Sequence, residues 1–252
     1  MAIAQSTSAA SIDAWARDEG TWFYAGSAIF AMLFSVAAFG PSLVQPQRRL
    51  GPLTALLIAH GTVFFLWLAI FFAQAILVRT HRLILHRRLG MLSAIVAAAM
   101  IVLGYQTTIA MARRGFDLSG DLGIRPDPLA GMAFPLLDLS LFAVLYVAAY
   151  VCRRRGAIHK RLMLLAIFGA LMPAPVTHLV GHYTFLRNKP LLVPLMVGAF
   201  LAASAIHDRI TLRRVHPVSL WVALTIFIVD NLWFAMVLPS TAWHAFASKL
   251  VG

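Results

Sequence analysis

Apolar runs close to the length of a bilayer crossing recur along the chain, separated by short polar stretches. Their pattern predicts seven spans, at 22–44, 51–78, 90–112, 131–152, 161–184, 190–206 and 218–239. The runs are continuous and lack the alternation of barrel strands. Each must therefore be a helix, because hydrocarbon leaves the backbone no other way to satisfy its hydrogen bonds within a single segment. The expectation is an all-α polytopic membrane protein built as a seven-helix bundle. Residues 1–21 read as an N-terminal interfacial segment, 22–240 as the transmembrane domain and 241–252 as a short C-terminal tail.

Composition strengthens this picture. Of 252 residues 61% are hydrophobic and only 12% charged, with a mean hydropathy of +0.83, so a water-soluble domain is excluded. The net charge of +12 would suggest nucleic acid in a soluble protein. Here the basic residues sit between spans, which points to the positive-inside rule and to anionic lipid headgroups instead. Of the Lys and Arg residues 13 fall on the side of the N-terminus and 8 on the other. The rule thus favours a cytoplasmic N-terminus and an external C-terminus, although the acidic flank of the first span opposes it. The lone Cys152 has no disulfide partner in the chain and reads as packing.

Polar residues within the spans carry the candidate chemistry. Counted at ~1.5 Å per residue, His60 lies roughly 13 Å and Asp138 roughly 10 Å from the outer boundary. Tyr105 and Gln106, His178 and His182, and Asp230 and Asn231 fall near the same depth on other spans. Isolated ionisable groups there cost several kcal/mol, so pairing among His60, Asp138, His178, His182 and Asp230 is expected. His178 and His182 share a helix face, and Pro175, one turn earlier, removes a backbone donor. Such a set suits a site with His60, His178 and His182 as ligands of haem b or of Zn, Fe or Cu. Asp138, Asp230, Asn231, Gln106 and Tyr105 would then support the ligands or handle protons. Packing by interhelical hydrogen bonds is the competing use of the same residues.

The other end of the spans repeats a motif. LHRRLGMLSAI around His86 matches IHKRLMLLAIF around His159, with a looser echo in RRVHPVSLWVA around His216. His86, Arg87, Arg88, His159, Lys160 and Arg161 are expected at the lipid-headgroup interface. His86 with His159 is also a candidate pair for a second haem.

Three resemblances follow from these residues. HGTVFFLWLAIFFAQAILV at His60, HRRLG at His86 and HKRLMLLA at His159 resemble a group of uncharacterised bacterial multi-pass membrane proteins over most of residues 22–185. That resemblance implies a seven-helix fold and brings no activity with it; the expected location is the bacterial inner (cytoplasmic) membrane, where the Lys and Arg count makes the C-terminus periplasmic. The order His60, Gly61, Trp67, then arginine and a later histidine, resembles transmembrane b-type cytochromes of the ascorbate-reducible kind, which implies electron transfer. The H-x-x-x-H of His178 and His182 is similar to that of seven-helix adiponectin-receptor and alkaline ceramidase proteins, which implies a metal-dependent hydrolase of lipid-like substrates. Here the pair lies on the fifth span, and no serine precedes His60 at the matching spacing. A non-enzymatic carrier or structural protein is the remaining reading. Asp117, Ser119 and Asp121 begin like a calcium loop, but Leu122 and Pro128 occupy its turn and bidentate positions.

Overall fold

A computed structural model describes residues 21–45, 52–115, 127–182, 184–187, 189 and 191–252. In chain order the helices are α1 (Thr21–Val44), α2 (Ala55–Arg79), α3 (Leu83–Arg113), the short α4 (Pro128–Gly131) and α5 (Ala133–Val151). There follow α6 (Gly156–Leu165), α7 (Pro173–His182), the short α8 (Thr184–Arg187), α9 (Leu192–Thr211), α10 (Ala223–Met236) and α11 (Thr241–Val251). No strand occurs among the described residues. Seven helical stretches are long and apolar enough to cross a membrane, which is the architecture the hydropathy pattern predicts. Leu33, Ile84, Ile95, Val144 and Leu195 are all more than 60% exposed, an apolar surface suited to lipid rather than water.

The third span begins at Leu83 rather than near residue 90, so His86, Arg87 and Arg88 lie within α3. Hydropathy marks where hydrocarbon ends, whereas the helix continues into the interface and its long basic side chains turn outward. Arg79 over Trp22 at 4.2 Å and Arg153 over Tyr150 at 4.4 Å join this basic face to an aromatic belt.

The stretch from Gly156 to Gly181 is the centre of the bundle: 61% of its most apolar window is buried, against 17–28% in the other six spans. It is not a regular helix. Residues Ala166–Leu171 form a π-helical stretch between α6 and α7, closed by the Met172 N–H donating to the Ile167 carbonyl at 2.9 Å. Pro173 and Pro175 lack the N–H groups that would continue the α-ladder, so the wider turn forms just before them. Gly169 sits within this stretch, where a Cβ would come within 3.0–3.1 Å of Ile226 and Leu201. Its missing side chain lets α9 and α10 close on the central span. α1, α5, α9 and α10 pack around that span, and α2 and α3 complete the bundle against α1 and α5.

The segment after residue 240 is not a tail. Ser240 accepts the Trp243 N–H at 3.3 Å and caps α11, which docks on α3 and α4 at the face opposite the basic loops. Ala247 and Trp243 pack with Ile109, Ala112 and Met132 in a second small core, and Trp243 Nε1 donates to the Leu129 carbonyl at 2.7 Å. The alternation of apolar and polar residues over so short a segment hid this helix among the longer spans.

An ion pair helps hold α11 in place. His244 Nε2 lies 2.8 Å from Asp127 Oδ2, while Asp127 Oδ1 accepts the N–H groups of Leu129 and Ala130. Burial pushes the Asp127 carboxyl up, but the Ala130 N–H, the His244 ring and the Leu129 N–H outweigh it and hold it below the usual value. The Ser240 carbonyl and then Asp127 raise His244 above its own. A raised histidine stabilises the fold fully below its ordinary value and loses that contribution as pH climbs through the raised one. A lowered aspartate contributes above its ordinary value and fails as pH falls through the lowered one. Docking of α11 should therefore be tightest between the ordinary values of 3.8 and 6.5. Protection of the α11 amides, taken relative to their intrinsic exchange rate at each pH, should fall on both sides of that window, and His244→Gln should flatten the alkaline side.

Candidate functional site

The histidines and carboxylates expected to share one layer are only partly brought together. His60 lies one turn into α2 with its ring against Phe64 at 4.2 Å, and its Nδ1 is buried without a hydrogen-bond partner. On α7, His178 packs on Phe39 at 4.7 Å and its Nε2 lies 3.0 Å from the Ser42 hydroxyl of α1. The side chain of His182 lies outside the described residues. Asp138 of α5 and Asp230 of α10 are within electrostatic reach of each other, and Asp230 Oδ1 is buried without a hydrogen-bond partner. Among the described residues no group of three or more His, Cys, Asp and Glu is placed to hold a metal ion. His60, His178, Asp138 and Asp230 therefore do not gather into a coordination set.

Three of the expected supporting residues point elsewhere. Asn231 is exposed and donates to the Phe227 carbonyl of its own helix at 2.7 Å. Tyr105 and Gln106 are exposed and line a groove beside α11. Depth along a helix is set by residue count, but direction around it is set by packing, which those counts do not contain.

The repeated motif at the basic face is more fully built. His86 in the first turn of α3 and His159 in the first turn of α6 meet with ring centroids 6.4 Å apart and planes at 89°. His159 Nδ1 donates to the Ala149 carbonyl at 2.8 Å, which leaves Nε2 with its lone pair. The His86 ring has the Gln74 backbone as a hydrogen-bonding neighbour, and its Nδ1 is buried without a partner. Gly90 lies one turn along α3, where a Cβ would approach Gln74 Nε2 to 3.3 Å. The glycine lets Gln74 lie against α3, with its own Oε1 buried and unpartnered. Deeper on the α2 stripe, Trp67 is 1% exposed and stands edge-on to Phe142 and Tyr146 at 5.2 and 5.4 Å. Arg87 and Arg88 are exposed, as a headgroup position requires. The third echo of the motif differs, because His216 precedes its helix and uses Nδ1 to accept the Val218 N–H at 3.1 Å. Burial, and then the Arg161 charge, lower the affinity of His216 for a proton.

Arg161 corrects the expectation of a headgroup contact. It turns into the bundle, with only 2% of its surface exposed, and binds Asp208 of α9 through both Nε and Nη2. Its Nε also lies 3.1 Å from the Ser219 hydroxyl, and its Nη1 donates to the Ala157 carbonyl at 2.7 Å. Asp208, fully buried, further accepts from the Ser219 hydroxyl at 2.5 Å and the His216 N–H at 3.2 Å. Ser204 completes the network at 2.9 Å from Ser219. The cluster joins α6, α9 and the start of the last span at the same face as the histidine pair. Lys160 is partly buried, its Nζ 5.4 Å from the Tyr24 ring centre.

Asp208 carries this network although its sequence context, HDR at the end of a span, resembles an exposed interface. The available signal was its sign: it is the single acidic residue in the basic loops between spans, and an acidic residue in such a loop has few partners other than a buried arginine. No protein-family model, curated protein or solved structure matches the chain.

Proposed function

We propose that this integral membrane protein is a redox protein that holds a haem or a transition metal between His86 and His159. One observation carries the reading: two imidazoles from different spans lie with ring centres 6.4 Å apart and planes perpendicular, one with a nitrogen fixed on a backbone carbonyl. A metal bond of ~2.0–2.1 Å on each side, plus about 1.1 Å from nitrogen to ring centre, gives roughly 6.3 Å between rings. A backbone acceptor on the far nitrogen is the usual way of fixing the tautomer and direction of a ligand histidine. Haem held by two imidazoles in an apolar bundle supplies one-electron transfer. The chain's own part is to orient His159 through Ala149, to keep the pair in a partly dry setting, and to present it toward the basic face. Asp138 and Asp230 would serve as proton carriers, because carboxylates within the spans are costly as ions.

The test is the visible spectrum and metal content of the purified protein, recorded together before and after reduction. A Soret band, or stoichiometric iron or copper, should disappear in His86→Ala and in His159→Ala and persist in His81→Ala at the exposed turn nearby. A colourless, metal-free wild type, or a signal that survives both substitutions, would sink the reading. Loss in His60→Ala alone would move the centre to the other end.

A further inference from the structure

The face opposite the basic loops carries an open groove of about 590 Å³ between the end of α3, the start of α2 and the docked α11. Leu56, Ile109 and Leu250 make its apolar wall, and Arg113 and Arg114 stand side by side at its end. Both arginines are exposed; Arg113 ends a membrane span and Arg114 caps it, at the boundary where phosphate groups lie. Arg113 is oriented by its Nε, which donates to the Val251 carbonyl at 2.8 Å. Among the described residues no side-chain carboxylate answers this charge: Asp127 is paired with His244, Asp208 with Arg161, and Asp138 and Asp230 lie within the spans, while the chain's last residue, Gly252, lies beside Arg113 and not Arg114.

We infer that the groove is a binding site for an anionic phospholipid, with its phosphate on Arg113 and Arg114 and an acyl chain along Leu56, Ile109 and Leu250. The charge fits one class of occupant. Two guanidinium groups at headgroup depth favour a net-negative headgroup over a zwitterionic one, since the choline of the latter would face the same positive end. The apolar wall below them matches a chain and not a free phosphate. This site is independent of the histidine pair, which lies at the other face. It also gives α11 a role, because the docked helix supplies both Leu250 and the carbonyl that aims Arg113.

Native mass spectrometry of the full chain, with phosphatidylglycerol and phosphatidylcholine of the same acyl length added in equal amounts, tests it. Wild type should retain phosphatidylglycerol preferentially. Arg114→Gln, at an exposed position with no partner among the described residues, should reduce that preference roughly fivefold, and Arg113→Gln with Arg114→Gln should abolish it. Leu56→Trp should fill the groove and displace the lipid while leaving both charges in place. An unchanged preference in the double variant, or undiminished binding in Leu56→Trp, would overturn the inference. Equal retention of the two lipids by wild type would overturn it as well.

Discussion

Asp208→Ala should destabilise the protein by about 3–5 kcal/mol, the range for removing one partner of a buried ion pair. Arg161 would be left inside the bundle with its charge uncompensated, and Ser219 and the His216 N–H would lose their acceptor. The effect should appear as a lower thermal midpoint in detergent and earlier exposure of Cys152, which borders the core near the start of α6. Arg161→Met combined with Asp208→Leu should recover most of the loss, because a pair replaced by apolar groups leaves no charge behind. Equal midpoints for Asp208→Ala and wild type would show that water reaches the arginine and that the network is not closed.

Trp67→Ala should cost a similar amount, about 3–5 kcal/mol, through a cavity between α2 and α5. Trp67 is among the largest fully buried side chains, and its ring is the common contact of Phe142 and Tyr146. Trp67→Phe should lose much less, since Nε1 makes no hydrogen bond that the phenyl ring would forfeit. Unfolding midpoints of the two variants in the same detergent check this. If Phe were as damaging as Ala, an unseen partner of the indole N–H would be the explanation to pursue.

Both predictions concern side chains that the sequence marks unequally. Trp67 stands out, since it shares an α2 stripe with His60 and Gln74 at intervals of seven residues. Asp208 does not, lying among basic residues at the end of a span, where a charged group is ordinarily solvated. The histidine pair falls between these cases. The repeat of HRRLG and HKRLM marks His86 and His159 as equivalent, but equivalence does not say that the two rings meet.

The number of spans, their helical state and the place of each polar residue along its helix were legible in the sequence alone. Hydrocarbon thickness and the backbone's need for hydrogen bonds act on one dimension, distance along the chain, and hydropathy records that dimension directly. The tertiary structure decided everything that depends on rotation about the helix axes. It turned Arg161 inward to Asp208 and Asn231 outward, set His86 against His159, kept His60, His178, Asp138 and Asp230 from forming one cluster, and made a docked helix of the last residues. A helix end with mixed basic and apolar residues fits either lipid or a neighbouring helix. Only the neighbour's shape and charge, Gly169 admitting α9 and α10 and Asp208 waiting on α9, choose between them.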